Sequence, residues 1–501
     1  MHLPFRRSFA ALTALALVSG CAVGPTYKPL TPAELKVPTT FTAQTPRTLG
    51  EADISRWWDS FGDPLLGDLV RRGLAANLDI AQAGARLRQA RATLRQARAD
   101  LFPTITASGA VSRTIGQDST TSTISTGGAG GTGVTTVTRG GDVTIYRGNF
   151  DAAYEADLFG GIRRSIEQAR ANAQSSEAQL HNTQLSIASE IALAYVSARL
   201  AQAQVQVAEE TLNAQDETLD IVGWRVKAGL VSSLDLEQSR VLRAQTAASI
   251  PTFRTNYVSA VNSLAVLLGE APGAVTDEVD AFKDVPVAPV AIAAAIPADV
   301  IQRRPDVSAA ERTAAAQTAG IGVAEAQLYP ALRLSGSFGG SGTSVGDVFS
   351  TAIGSLLGSL SAPIFQGGRL RAQVDAQRGA AAASLAAYRQ TVLVALQEVE
   401  NALTALSAAE QREQQQIAAD EASRAALIYA ESQYRAGLID FQTLLESQRS
   451  RLSARNSRVS ARADRATATV QLYKALGGGW ENAPIPETVS AAARAPATER
   501  P

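Results

Sequence analysis

Apolar positions along this chain repeat with two different periods. Val205, Ala208, Leu212, Gln215, Leu219, Val222 and Val226 follow in steps of three and four, a heptad seam between helices packed side by side. Many seam positions carry Ala, Ser or Gln where a leucine zipper has Leu, so helices can approach closely on more than one side, as in a curved wall. Proline is absent between Pro103 and Pro251 and between Pro363 and Pro484, and Gly223 is the only glycine between Gly161 and Gly229. That segment can run as one helix of about 67 residues, on the order of 100 Å. Gly229 and Gly437 suit the left-handed position past a helix end, and Ser232 and Asp440 suit the N-cap of a returning helix. The pattern predicts two helical hairpins with sharp tips, returning over about Leu234–Leu268 and Phe441–Leu476. Pro251 predicts a kink or break in the first returning helix.

Between the helices the period is two. Ile105, Ala107, Gly109 and Val111 alternate with Thr104, Thr106, Ser108 and Ser112. Tyr146, Gly148, Phe150, Ala152, Tyr154, Ala156 and Leu158 alternate with Arg147, Asn149, Asp151, Glu155 and Asp157. The sets Leu332, Leu334, Gly336, Phe338 and Leu356, Gly358, Leu360, Ala362, Ile364 repeat this later. Short strands with an apolar outer and a polar inner face are the pattern of a transmembrane barrel. The Gly/Ser/Thr-rich stretch from about Ile115 to Gly141 reads as a mobile cell-surface loop. Four strands cannot close a barrel, because a bilayer forbids an open sheet edge and barrels need about eight strands or more. The chain must pool strands with its own copies: eight in a dimer, or twelve in a trimer with room for a lumen.

These elements occur twice in the same order. Asp79-Ile80 through Leu101-Phe102-Pro103 matches Asp306-Val307 through Leu328-Tyr329-Pro330. Ala228-Gly229-Leu230-Val231 recurs as Ala436-Gly437-Leu438-Ile439, and Leu268-Gly269 as Leu476-Gly477, at one common offset. The chain is an internal duplication with a repeat of roughly 200 residues.

Composition narrows the function. The 501 residues carry a net charge of -1, which gives no electrostatic case for nucleic acid. Arg6-Arg7, an apolar run from Phe9 to Val18 and Val18-Ser19-Gly20-Cys21 form a signal peptide ending in a lipobox. Cys21 is the only cysteine, so no disulfide can form within the chain, and lipid attachment there removes an exposed thiol. His181 would be the one histidine after cleavage. With no Ser-His or Cys-His pairing and no clustered ligands, neither an enzyme, a metal site nor a cofactor is expected.

Several motifs carry a family resemblance: Cys21-Ala22-Val23-Gly24-Pro25-Thr26-Tyr27; Trp57-Trp58 with Phe61-Gly62-Asp63-Pro64-Leu65; Arg303-Arg304-Pro305-Asp306-Val307 with Ala310-Glu311-Arg312; Ile321 through Pro330; and Tyr434-Arg435-Ala436-Gly437-Leu438. In these the chain resembles the outer-membrane factors of tripartite efflux pumps, the OprM-like, NodT-type lipoproteins of the TolC fold. The resemblance implies a mainly α, duplicated fold with four transmembrane strands per chain, a twelve-strand barrel in a homotrimer, and a long coiled-coil helical barrel in the periplasm. It implies delivery to the outer membrane with a lipid anchor at Cys21. The implied partners are a periplasmic adaptor and an inner-membrane transporter of RND type. A pore gate falls on Tyr434 and Glu446, Gln238 standing where the first copy would carry the acid. Adaptor contacts fall on Gly229, Leu230, Ser232, Gly437, Leu438 and Asp440. The expected organisation is a signal peptide over 1–20, a lipidated segment over 21–70 docking on an equatorial belt, a first repeat over 71–269 with strands near 103–159, a connection over 270–300, a second repeat over 301–477 with strands near 331–366, and a disordered tail over 478–501. The competing reading is a lipid-anchored periplasmic coiled-coil scaffold without channel activity.

Overall fold

A computed structural model describes residues 22–42, 54–115, 122–126, 133–137, 142–286 and 297–485. In chain order the elements are a 3₁₀ helix (Ile54–Phe61), α1 (Pro64–Ala76), α2 (Leu78–Ala99), β1 (Thr104–Thr114), β2 (Ser122–Thr126), β3 (Gly133–Val137), β4 (Val143–Ala156), α3 (Gly161–Lys227), α4 (Ser233–Leu267), α5 (Thr276–Val279), α6 (Pro297–Arg303), α7 (Pro305–Ala326), β5 (Ala331–Gly342), α8 (Asp347–Ser350), β6 (Ile353–Ser361), α9 (Arg369–Arg435) and α10 (Phe441–Ala475). The duplication is one of elements: α2 and α7 each have 22 residues, α3 and α9 each 67, α4 and α10 each 35. Of the kink or break expected at Pro251, the break does not occur: α4 runs through it. Pro251 is exposed, so one missing N–H is outweighed by the buried Thr246, Ile250 and Val261 that hold the helix on either side.

The chain divides into two compact units. The first comprises residues 1–29, 88–175 and 310–388. Its centre is an antiparallel sheet in the order β1-β4-β5-β6. Register places like beside like: Ala107, Phe150, Phe338 and Gly354 form one cross-strand row, and Ile105, Ala152, Gly336 and Leu356 another. Between them lies the polar row Thr106, Asp151, Ser337 and Ser355, with a 2.7 Å hydrogen bond between the two serine hydroxyls. One face is therefore apolar and the other polar, as period-two strands require. The sheet edges are β1 and β6. Each strand end nearest the helices carries an aromatic residue: Phe102 before β1, Phe159 after β4, Tyr329 before β5 and Phe365 after β6. Phe159 and Tyr329 stack with ring centres 4.7 Å apart, which gives the leucine, aromatic, proline punctuation a structural meaning. Within the stretch read as loop, β2 and β3 pair antiparallel; residues 116–121, 127–132 and 138–141 lie outside the described ones. No helix among the described residues is long and apolar enough to cross a membrane.

The N-terminal segment of this unit is tied down where β4 passes into α3. Val23 N–H donates to Phe159 O at 3.0 Å, and the Arg164 guanidinium donates to Val23 O at 3.0 Å and Gly24 O at 2.9 Å. Gly24 has φ +89°, and a Cβ there would lie 2.4 Å from Gly322 Cα. Only glycine permits that approach.

The second unit comprises residues 30–87, 176–309 and 389–501. Trp57 and Trp58 are 1% and 3% exposed in a core with Leu66, Leu69, Ile191, Tyr195, Leu264, Val275, Val279 and Leu472. Trp57 stacks on Tyr473 at 5.4 Å. At about 25 cal/mol per Å² and 150–250 Å² per ring, each buried tryptophan contributes roughly 4–6 kcal/mol before entropy is charged. The Asp63 carboxylate caps α1, accepting from Leu65 N–H, and also accepts from Tyr195 Oη at 2.5 Å and Lys283 Nζ at 2.8 Å. Burial alone would raise its pKa, but these donors outweigh it and hold the carboxyl below its usual value. Arg304 donates to Asp306, Glu398 and Ala475 O at 2.6–2.8 Å. Of the tail expected to be disordered from 478, residues up to Pro484 make specific contacts: the Trp480 ring lies 4.4 Å from His181, and Gln184 Nε2 donates to Pro484 O at 2.9 Å. An aromatic contact and a satisfied carbonyl hold this stretch; residues 486–501 lie outside the described ones.

Candidate functional site

Both hairpin tips are closed by the same pair of backbone hydrogen bonds. Leu230 N–H donates to Arg225 O and Gly229 N–H to Val226 O, both at 2.9 Å. In the second tip Leu438 N–H donates to Gln433 O at 2.9 Å and Gly437 N–H to Tyr434 O at 3.1 Å. This Schellman pairing needs a left-handed residue, and Gly229 and Gly437 supply it with φ of +70° and +72°. The returning helices are capped at once. Ser232 Oγ accepts from Leu234 N–H at 3.0 Å, and Asp235 reaches back to Ser232 N–H. Asp440 Oδ1 accepts from the Thr443 hydroxyl at 2.6 Å and its N–H at 2.9 Å, and these bonds hold its carboxyl below the usual range.

Each tip is thus a rigid turn with an exposed leucine at its apex. Leu230 is 72% and Leu438 75% exposed, and a Cβ built on Gly229 or Gly437 would meet nothing within 4 Å. Behind the turns the two hairpins share one apolar cluster of Val222, Leu242, Ala430, Tyr434, Phe441, Leu444 and Leu445. Tyr434 packs 5.5 Å from Phe441, and the Arg225 guanidinium sits 4.7 Å from the Tyr434 ring centre, a cation–π contact. The Tyr434 hydroxyl is buried without a hydrogen-bond partner. Farther from the turns, Gln448 Nε2 donates to Thr218 Oγ1 at 3.0 Å, Arg455 pairs with Glu210, and Asp420 accepts from Arg451 and, at 2.9 Å, from Arg458.

The two expected gate residues have different surroundings. Tyr434 is 7% exposed inside the cluster, whereas Glu446 is exposed on α10 beside the inward-facing Leu444, Leu445 and Gln448. The sequence reading missed Arg225 and Phe441 as partners of Tyr434; the aromatic at the first position of α10 was the available signal. Cys21 lies outside the described residues. Among those described, no cluster of His, Cys, Asp and Glu could hold a metal ion. An open groove of about 920 Å³ in the same unit, lined by Glu190, Arg254, Val258, Asn262 and Val266, leaves Val258 and Val266 largely uncovered.

These features agree with what the chain resembles. The family described as outer membrane efflux protein matches residues 69–270 and 296–478, one match to each copy. Nodulation protein T of Rhizobium leguminosarum bv. viciae is 34% identical over 488 residues, covering 96% of this chain and 94% of that protein. The toluene efflux pump outer membrane protein TtgC of Pseudomonas putida is 32% identical over 479 residues, covering 94% and 95%. The solved outer-membrane channel OprN matches with a TM-score of 0.81 at 33% identity, over 92% of this chain and 100% of that one. The chain belongs to the outer membrane efflux proteins and is an outer-membrane channel component of an efflux system.

Proposed function

We propose that three copies of this chain form one passive duct, with no chemistry of its own, that receives small molecules from a periplasmic adaptor and an RND-type inner-membrane transporter. The observation that carries this reading is the four-stranded sheet with an apolar face and, among the described residues, two unpaired edges, β1 and β6. In a bilayer those edges need partners, and β6 of one copy beside β1 of the next closes twelve strands around a lumen. The groove at Val258 and Val266 offers a second apolar seat for a neighbouring copy.

Lipid attached to Cys21 would enter the membrane beside the strand ends. Ala22 lies against Gly160, where an added Cβ would come within 2.6 Å of Ala22 Cα, and Val23 is bonded to Phe159. The tips would form the gate. Any movement of α10 away from α3 must separate Gln448 from Thr218, and movement of α9 must separate Tyr434 from Arg225. In this role Tyr434 is the pin of the closed tip, and Glu446 supplies one exposed carboxylate per chain to the narrowing. Three such charges favour cations. Leu230 and Leu438, presented by Gly229, Ser232, Gly437 and Asp440, would be the contacts for the adaptor. Native mass spectrometry of the detergent-solubilised protein tests the assembly: three chains per particle are expected, and a monomer at all concentrations would refute the duct.

A further inference from the structure

We propose that the turn between β5 and β6 is an interfacial anchor that inserts Val345 and Phe349 among the acyl chains of the outer leaflet. The inference rests on the barrel reading and extends it to a segment outside the strands. Three glycines, Gly109, Gly148 and Gly340, stand opposite one another on neighbouring strands, in the apolar face one row beyond Ala107, Phe150 and Phe338. They leave a trough, and α8 folds back into it. Val348 is 5% exposed, and Cβ atoms built on Gly148 and Gly340 would come within 3.2 Å of Val348 Cγ1 and 2.2 Å of Val348 O. A Cβ on Gly342 would come within 2.4 Å of Asp347 Cβ. The turn is fixed by Ser344 Oγ donating to Asp347 at 2.8 Å and Thr351 Oγ1 donating to Ser341 O at 2.9 Å.

With Val348 seated, Val345 and Phe349 stay 66% and 67% exposed. Their height along the strands identifies what covers them. From Leu332 to Gly342 a strand rises about 33 Å, which at a tilt of about 40° spans about 25 Å, the height of a barrel's apolar band. The lower limit is marked by Phe102, Phe159, Tyr329 and Phe365. The upper limit falls near Tyr146 and Gly342, since the next row on this face carries Arg113, paired with Asp142 at 2.7 Å. The turn therefore lies at the upper rim of the band, continuous with a lipid-facing surface. Barrels place aromatic girdles at both rims, and Phe349 supplies this position where the strands carry glycine.

The test introduces Phe349→Trp into the full-length protein, reconstituted in phosphatidylcholine vesicles whose acyl chains carry bromine near the headgroup. The emission added over the unsubstituted protein should fall by about twofold or more in brominated vesicles and resist aqueous iodide. Quenching by iodide but not by bromolipid would overturn the proposal in favour of water, and insensitivity to both would overturn it in favour of a neighbouring protein surface. Leu334→Trp, on the same apolar face near its lower rim, is the control. If Leu334→Trp is quenched by bromolipid and Phe349→Trp is not, the anchor fails and the barrel stands; if neither is quenched, the barrel reading itself fails. Val345→Trp gives the same readout should Phe349→Trp fail to assemble.

Discussion

The guanidinium of Arg225, in the last turn of α3, lies over the ring of Tyr434, in the last turn of α9, 4.7 Å from its centre. One contact thereby joins the ends of the two longest helices behind their turns. Tyr434→Ala should remove about 3–5 kcal/mol of packing, and Arg225→Ala about 0.5–2 kcal/mol. Arg225→Ala should cost little more once Tyr434 is alanine. Tyr434→Phe should be neutral or stabilising, because the hydroxyl it deletes is buried without a partner. Hydrogen exchange at the amides of 437–441 reads all four outcomes.

Asp63 makes a pH prediction. Its folded pKa is depressed, so its contribution to stability is present above the unfolded value of about 3.9. It is lost as pH falls below that value through the folded pKa. The melting temperature should drop over this acid range, and Asp63→Ala should flatten that part of the profile while costing about 2–3 kcal/mol at neutral pH. An unchanged acid limb in the variant would remove Asp63 from the account.

Two glycines with the same backbone conformation should respond differently to alanine. Gly437 has φ +72° with open space around it, so Gly437→Ala should cost about 1–2 kcal/mol of backbone strain alone. Gly269 has φ +74°, and its Cβ would lie 2.7 Å from Ala76 O. Gly269→Ala should therefore be the more damaging by thermal unfolding, and equal effects would mean that α1 does not hold that position.

The two faces of β6 give a third contrast. Leu356 is 86% exposed on the apolar face, and Leu356→Arg should destabilise the barrel by about 2–4 kcal/mol if that face meets lipid at mid-depth. Ser355→Arg, one residue away on the polar face, should leave stability nearly unchanged and alter conductance instead. Urea unfolding in lipid vesicles distinguishes them.

Much of this fold is local in origin and so was legible in the chain. The 67-residue helices follow from proline-free, alanine-rich stretches ending at Gly229 and Gly437, and the four long strands from their period of two. β2 and β3 escaped because Ser122–Thr126 and Gly133–Val137 lack an apolar alternation. Pro251 does not end α4, because the cost of a proline depends on which face of the helix it occupies and Pro251 is exposed. The site was less legible, since it depends on pairs such as Arg225 with Tyr434 and Gln448 with Thr218, whose proximity no spacing rule encodes. Tyr434 and Glu446 follow as gate candidates from their places around one turn, but only packing shows that Tyr434 is buried while the turn of α10 that buries Leu444 and Leu445 leaves Glu446 exposed.

The central claim is a channel whose opening is held at the tips, and its most direct test is single-channel recording in planar bilayers. The unsubstituted protein should show a small, cation-preferring conductance, Tyr434→Ala a conductance several times larger, and Glu446→Gln a reduced cation preference. Absence of conductance from the assembled protein, in both the unsubstituted chain and Tyr434→Ala, would contradict it.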